Sequence, residues 1–239
     1  MQRDHHDLNP HYIHHRENAF AKHIREIVFG VQDGMVSTLG AITGIAIGSG
    51  STGTVILAGV AIIAVESVSM AIGSYVSSHS EEKLSERILE EEREEIAECP
   101  ECEESEAQEL FVRDGWPENL AVQMATAASK NHKLMLREMA YRELGVNPHK
   151  EQHSVKNGIA MFFAYIVGGL VPLAPYFFLP ISNAMVISIP LALLGLFILG
   201  VIVARHTGQK WYTSGARLFI FGSIALAVGF LVGTFVDVG

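Results

Sequence analysis

Cysteine is nearly absent from this sequence: 239 residues hold two, Cys99 and Cys102, in the tetrapeptide CPEC. Two such close neighbours cannot build the disulfide framework on which small secreted domains rely. Positive charge is also in short supply. Lys and Arg number 17 against 26 Asp and Glu, a net charge of -9, which argues against a nucleic-acid partner. The first residues are polar and His-rich, without a basic stretch leading into a short apolar run and cleavage site, so no removable signal peptide is expected. No internal repeat or low-complexity linker stands out.

What the sequence has in quantity is apolar surface and glutamate. Hydrophobic residues make up 49% and mean hydropathy is +0.27, yet 18% of residues are charged. Those figures are compatible only if charge and apolarity are segregated along the chain. They are: the block from Glu81 to Glu109 holds fourteen Glu against Lys83, Arg87 and Arg93.

A membrane helix needs about 20 mainly apolar residues to cross the hydrocarbon core. Five stretches qualify, at roughly 27–48, 54–76, 155–178, 184–204 and 216–236. The fold class expected is therefore an all-α integral membrane protein of five transmembrane helices, with a cytosolic helical module between helices 2 and 3. The corresponding divisions are a His-rich cytosolic N-terminal segment (1–26), transmembrane helices 1 and 2 (27–79), the acidic module (80–150) and transmembrane helices 3 to 5 (151–239). Basic residues lie before the first span (Arg16, Lys22, Arg25), in the module, and around the link between the fourth and fifth spans (Arg205, Lys210, Arg217). With five spans all three regions fall on one side, which sets the N-terminus in the cytosol and the C-terminus outside. The compact size and missing targeting segment point to a prokaryotic plasma membrane.

Ionisable residues inside spans are costly and usually face a protein interior or an aqueous path. Asp33 lies about two turns into the first apolar stretch, and Glu66 lies midway along the second. Met70 follows Glu66 by four residues, hence on the same helical face, at a depth matching that of Asp33. Carboxylate beside thioether suits a borderline cation such as Fe2+ better than Mg2+ or Ca2+. The plainer alternatives are an interfacial helix start for Asp33 and packing for Met70. Pro172 and Pro175 should bend the third span and free backbone carbonyls.

Within the acidic block, Ser80 to Glu98 is expected to continue the second membrane helix and to end at Pro100. Further helices are expected at 105–112, 117–130 and 132–144. Glu92 and Glu95 sit one turn apart, and Glu103 and Glu106 repeat the spacing. Facing pairs could surround a cation as in di-iron carboxylate proteins, although Glu runs are commonly solvated faces. Met135, Met139 and Glu143 in isolation read as core packing. Cys99 and Cys102 could be half of a metal thiolate site, a redox pair, or simply a turn. His5, His6, His11, His14 and His15 could gather metal loosely or form a solvated tail.

Together, VQDGMVST in the first span, SMAIGSYVSSHSE at 69–81, the two Glu pairs and RELG at 142–145 resemble the vacuolar iron transporter family over nearly the whole chain. The resemblance implies a homodimer with its metal path between subunits, exporting Fe2+ or Mn2+ from the cytosol against protons. It implies transport ligands at Asp33 and Met70, to which the residue reading adds Glu66. In the module it implies metal ligands at Glu92, Glu95, Glu103, Glu106, Met139 and Glu143. The chain departs from the plant-type pattern at Ile62, where an acidic residue is usual, and at Ala140, where Met is usual. No permanent cofactor and no enzymatic activity are expected; the bound ion is Fe2+, with Mn2+ or Zn2+ as alternatives. A membrane-anchored metal buffer or sensor is the rival reading. A di-iron enzyme would want Glu-x-x-His pairs that the module lacks.

Overall fold

The computed structural model describes residues 23–146 and 153–236, and every regular element among them is helical. In chain order these are α1 (Ile24–Ser49), α2 (Thr52–Glu98), α3 (Pro100–Arg113), α4 (Glu118–Ser129) and α5 (His132–Arg142). They are followed by α6 (Ser154–Leu173), which continues as a 3-10 turn over Ala174–Phe177, then α7 (Ile181–Thr207) and α8 (Trp211–Phe235). The helices form two compact units, one from the described residues up to Ser74 and from Val155 onward, the other between Tyr75 and Ser154. The N-terminal histidines and Pro148 lie outside the described residues.

Among the described residues, four helices are long and apolar enough to cross a membrane: α2, α6 with its 3-10 extension, α7 and α8. This is an all-α, multi-pass membrane protein. α1, expected from the sequence as the first of five spans, has the length at 26 residues but is not among the four. Gln32, Asp33, Ser37, Thr38, Thr43 and several glycines dilute its apolar run. Its packing explains why that dilution is tolerated. α1 runs along α8 and touches α7, and Leu39, Ile42, Thr38 and Thr43 are almost completely buried. A helix shielded by its neighbours does not need an apolar surface toward lipid.

Small residues set the crossing of α1 and α6. A Cβ on Gly34 would lie 2.3 Å from the Tyr165 carbonyl oxygen, and one on Gly168 would lie 2.2 Å from that of Val31. Backbone meets backbone at both points, so only glycine fits. Ile42, Ala46, Val55, Ile63, Leu173, Tyr176 and Ala184 fill the adjoining core. The bend expected at Pro172 and Pro175 is a change of helix type: the α-helical pattern ends at Leu173 and tightens to 3-10. The Ser188 hydroxyl donates to the Pro172 carbonyl at 2.6 Å, satisfying an acceptor that a regular helix would have satisfied itself.

The second unit is built on the polar half of α2, which runs unbroken to Glu98 as the sequence led us to expect. α3 begins at Pro100, five residues before the expected Ser105, because proline is at home in the first helical turn. Gly115 at φ 95 turns the chain from α3 toward α4, with the Trp116 N–H donating to the Phe111 carbonyl. Asn131 caps α5 by accepting from the N–H groups of Lys133 and Leu134. Ile96, Leu110, Phe111, Ala121, Ala125, Met135 and Met139 form the core. Arg142 ties α5 to the end of α3: it pairs with Asp114 and Glu138 and lies 4.6 Å over the Phe111 ring.

Candidate metal sites

In the membrane unit, α1 supplies Asp33, half-buried, and α2 supplies Glu66, which is exposed on the single chain. Asp33 lies within range of the Glu66 charge. A third group joins them from α6. Tyr165 is fully buried, its hydroxyl lies 2.6 Å from that of Ser37, and it feels both carboxylates. Ser37 stands one turn after Asp33 on the same face of α1, so four polar groups from three helices gather in an otherwise apolar region. Met70, one turn beyond Glu66, is half-buried. Among the described residues, no interaction ties it to the carboxylates, so the depth match between Asp33 and Met70 does not translate into a contact here.

Two polar residues escaped the sequence reading. Tyr165 sits in an apolar run where only its hydroxyl set it apart. Glu26 belongs to the first turn of α1, where the helix dipole favours an acid, and is 3% exposed with Arg25 as its partner. Counting residues up to 26 as a terminal tail hid it.

The module holds the second cluster. Glu92 on α2 and Glu103 on α3 are buried, at 3% and 6% exposure, while Glu95, Glu106 and Glu143 remain exposed. Met139, completely buried, belongs to the core beside them. Burial pushes the Glu92 carboxyl up to about 7, helped by the charges of Glu143, Glu103, Glu95 and Glu106. Burial also raises Glu103, followed by Glu106, Glu143 and Glu95, against a hydrogen bond with Glu92 that lowers it. Glu143 is raised by loss of water and by Glu106 and Glu95, with Arg113 pulling it back. The five glutamates expected to act together therefore do share one electrostatic neighbourhood.

The cluster is short of positive charge and of donors. Glu92 Oε1 and Glu103 Oε2 are buried without a hydrogen-bond partner, an arrangement that costs stability unless a cation or proton fills it. Among the described residues, however, no three His, Cys, Asp or Glu side chains are already drawn up around one ion position. Holding an ion would require exposed carboxylates such as Glu95 and Glu106 to swing inward. Glu104 is engaged elsewhere: its carboxylate accepts from Thr126 and Ser129, both at 2.7 Å, and these bonds lower its titration. Cys99 and Cys102 are joined as a disulfide, so in this form neither is a thiolate ligand. A metal role for the pair would belong to its reduced state.

Comparison with known proteins adds a second line of observation. The family model described as "VIT family" matches residues 24–234. Vacuolar iron transporter 1 of Tulipa gesneriana is 32% identical over 208 residues, covering 87% of this chain and 84% of that protein. Vacuolar iron transporter 1 of Arabidopsis thaliana is 31% identical over 227 residues, 94% of this chain and 91% of that protein. The vacuolar iron transporter of Toxoplasma gondii is 28% identical over 233 residues, 92% and 77% respectively.

Proposed function

This chain belongs to the VIT family, and we propose that it carries Fe2+, and also Mn2+, out of the cytosol in exchange for protons. The observation that carries the proposal is that two acids, Asp33 and Glu66, stand on different helices of the apolar unit with Asp33 within range of the Glu66 charge. Two carboxylates in lipid-spanning helices repel each other and are poorly solvated. A divalent cation relieves both penalties at once, and a proton relieves one. Alternation between those occupants is the chemistry of an antiporter. Met70 supplies a soft donor on the same face as Glu66. The names of the relatives, all vacuolar iron transporters, agree with iron as the cargo.

The chain acts as a homodimer of five-span subunits. Glu66 is exposed on one copy, amid exposed Val65, Val68 and Ile72, and only 22% of the apolar window of α2 is buried. Lipid accepts the valines and isoleucine but not the carboxylate, whereas a second copy against α2 would enclose it. α1 is the first of the five spans, with its Thr38 and Thr43 buried against its neighbours. In the module, Glu92, Glu95, Glu103, Glu106 and Glu143 gather the ion, with Met139 as the thioether donor. The module faces the cytosol, in line with the distribution of Lys and Arg.

The test is metal flux into proteoliposomes. Wild-type protein takes up Fe2+ when the lumen is acid. Asp33→Asn, monodisperse and helical, loses at least tenfold in rate. Full flux in that variant would refute the site, and metal binding by the module without any flux would favour the buffer or sensor reading.

A further inference from the structure

The short link between α7 and α8 builds a feature that metal transport does not use. Gly208, at φ 68, ends α7 through its N–H to the Ala204 carbonyl, and the chain re-enters helix at Trp211. Between the helix ends lies a cavity of about 490 Å3 lined by Val201, Arg205, Gln209, Lys210, Trp211 and Tyr212. Two cations therefore face one hollow. Among the described residues neither Arg205 nor Lys210 pairs with a carboxylate, although the chain as a whole carries a net charge of -9.

Three further features converge there. α8 is 25 residues long and no side chain caps its N-terminus, while the first backbone N–H bonded within the turn is that of Thr213. The N–H groups of Trp211 and Tyr212 are thus open donors at the positive end of a long helix. The aromatic rings, both exposed, stand edge-on to their neighbours: Trp211 meets Phe197 at 6.3 Å between centroids and Tyr212 at 5.8 Å. Tryptophan and tyrosine at the end of a membrane span mark the headgroup level. Cations, open N–H donors and an aromatic pair at the end of a span, around one hollow, match a phosphate that carries acyl chains.

We propose that this cavity binds the phosphate headgroup of an anionic phospholipid, with Arg205 and Lys210 as its charged ligands and Trp211 as its interfacial wall. The lipid staples the α7–α8 hairpin at the membrane surface. The inference rests on α7 and α8 being membrane helices and is independent of the transport reading, so either can fail alone.

The full-length protein in the Trp116→Phe background has Trp211 as its sole tryptophan. It is reconstituted in phosphatidylcholine with small fractions of brominated phosphatidylglycerol or brominated phosphatidylcholine, and quenching of Trp211 is titrated. The anionic lipid should quench at roughly tenfold lower mole fraction than the neutral one. Lys210→Gln and Arg205→Gln should each weaken that preference about fivefold. Arg217→Gln, which removes an equal charge outside the cavity lining, should leave it unchanged. Equal quenching by both lipids overturns the proposal, as does an Arg217→Gln effect equal to that of Lys210→Gln, which would mark general surface charge. Relief of quenching by millimolar inorganic phosphate would identify a soluble phosphate compound as the occupant and overturn the lipid assignment.

Discussion

Glu92→Gln should make the metal-free protein more stable at pH 8 while removing its response to metal. In the folded module the Glu92 carboxyl is held at about 7, against 4.5 ordinarily. The folded chain therefore keeps a proton that the unfolded chain has released. Between pH 4.5 and 7 stability falls as pH rises, and above 7 the full penalty of the ionised, buried carboxylate is present. A displacement of that size corresponds to roughly 3 kcal/mol. Water around the exposed Glu95, Glu106 and Glu143 screens part of it, leaving about 1–2 kcal/mol as the expected gain for the neutral amide. The assay is chemical unfolding in detergent, followed by Trp116 emission in a Trp211→Phe background from pH 4.5 to 8. Wild type and variant should converge at the acid end and separate toward pH 8. Mn2+ should stabilise the wild type and leave the variant unmoved. A variant no more stable than wild type at pH 8, or wild-type stability that climbs with pH through this window, would refute the reasoning.

Other outcomes follow from the packing. Gly34→Ala places a Cβ 2.3 Å from the Tyr165 carbonyl oxygen, so α1 and α6 must part, at a cost of about 3 kcal/mol; a lower melting temperature in detergent reads it out. Ser188→Ala strands the Pro172 carbonyl and should cost about 1–2 kcal/mol in the same measurement. Arg142→Ala removes the Asp114 pair and the Phe111 stacking and should cost the module about 1 kcal/mol by Trp116-monitored unfolding, with Arg142→Lys recovering only part of it.

Apolar run length and glutamate content were enough to place most of the helices in advance, because lipid and water impose opposite compositions on adjacent stretches. Run length placed a helix at 27–48, where α1 runs from Ile24 to Ser49, but not the way its Thr38 and Thr43 are accommodated, which is by burial against other helices. That cover is a tertiary fact with no local signature. The start of α3 lies five residues before the expected one because Pro100, which ends α2's run, also opens the next helix from its first turn. Among site residues, Glu66 was legible as an acid too deep for headgroups, and the structure adds that its charge reaches Asp33. Tyr165 was not legible, since its significance comes from a hydroxyl that Ser37 engages across 128 residues of sequence. In the module, Glu-x-x-Glu spacing indicated which carboxylates share a face. Which of them are buried, Glu92 and Glu103, depended on how α2 meets α3.

The most direct test of the account is Fe2+ entry into vesicles of purified protein, followed with the internal pH set above, equal to, or below the external pH. Accumulation that grows with internal acidity, accompanied by alkalinisation of the lumen, is the expected result. Iron that stays outside at every pH setting, though the protein is folded and its module binds metal, would contradict it.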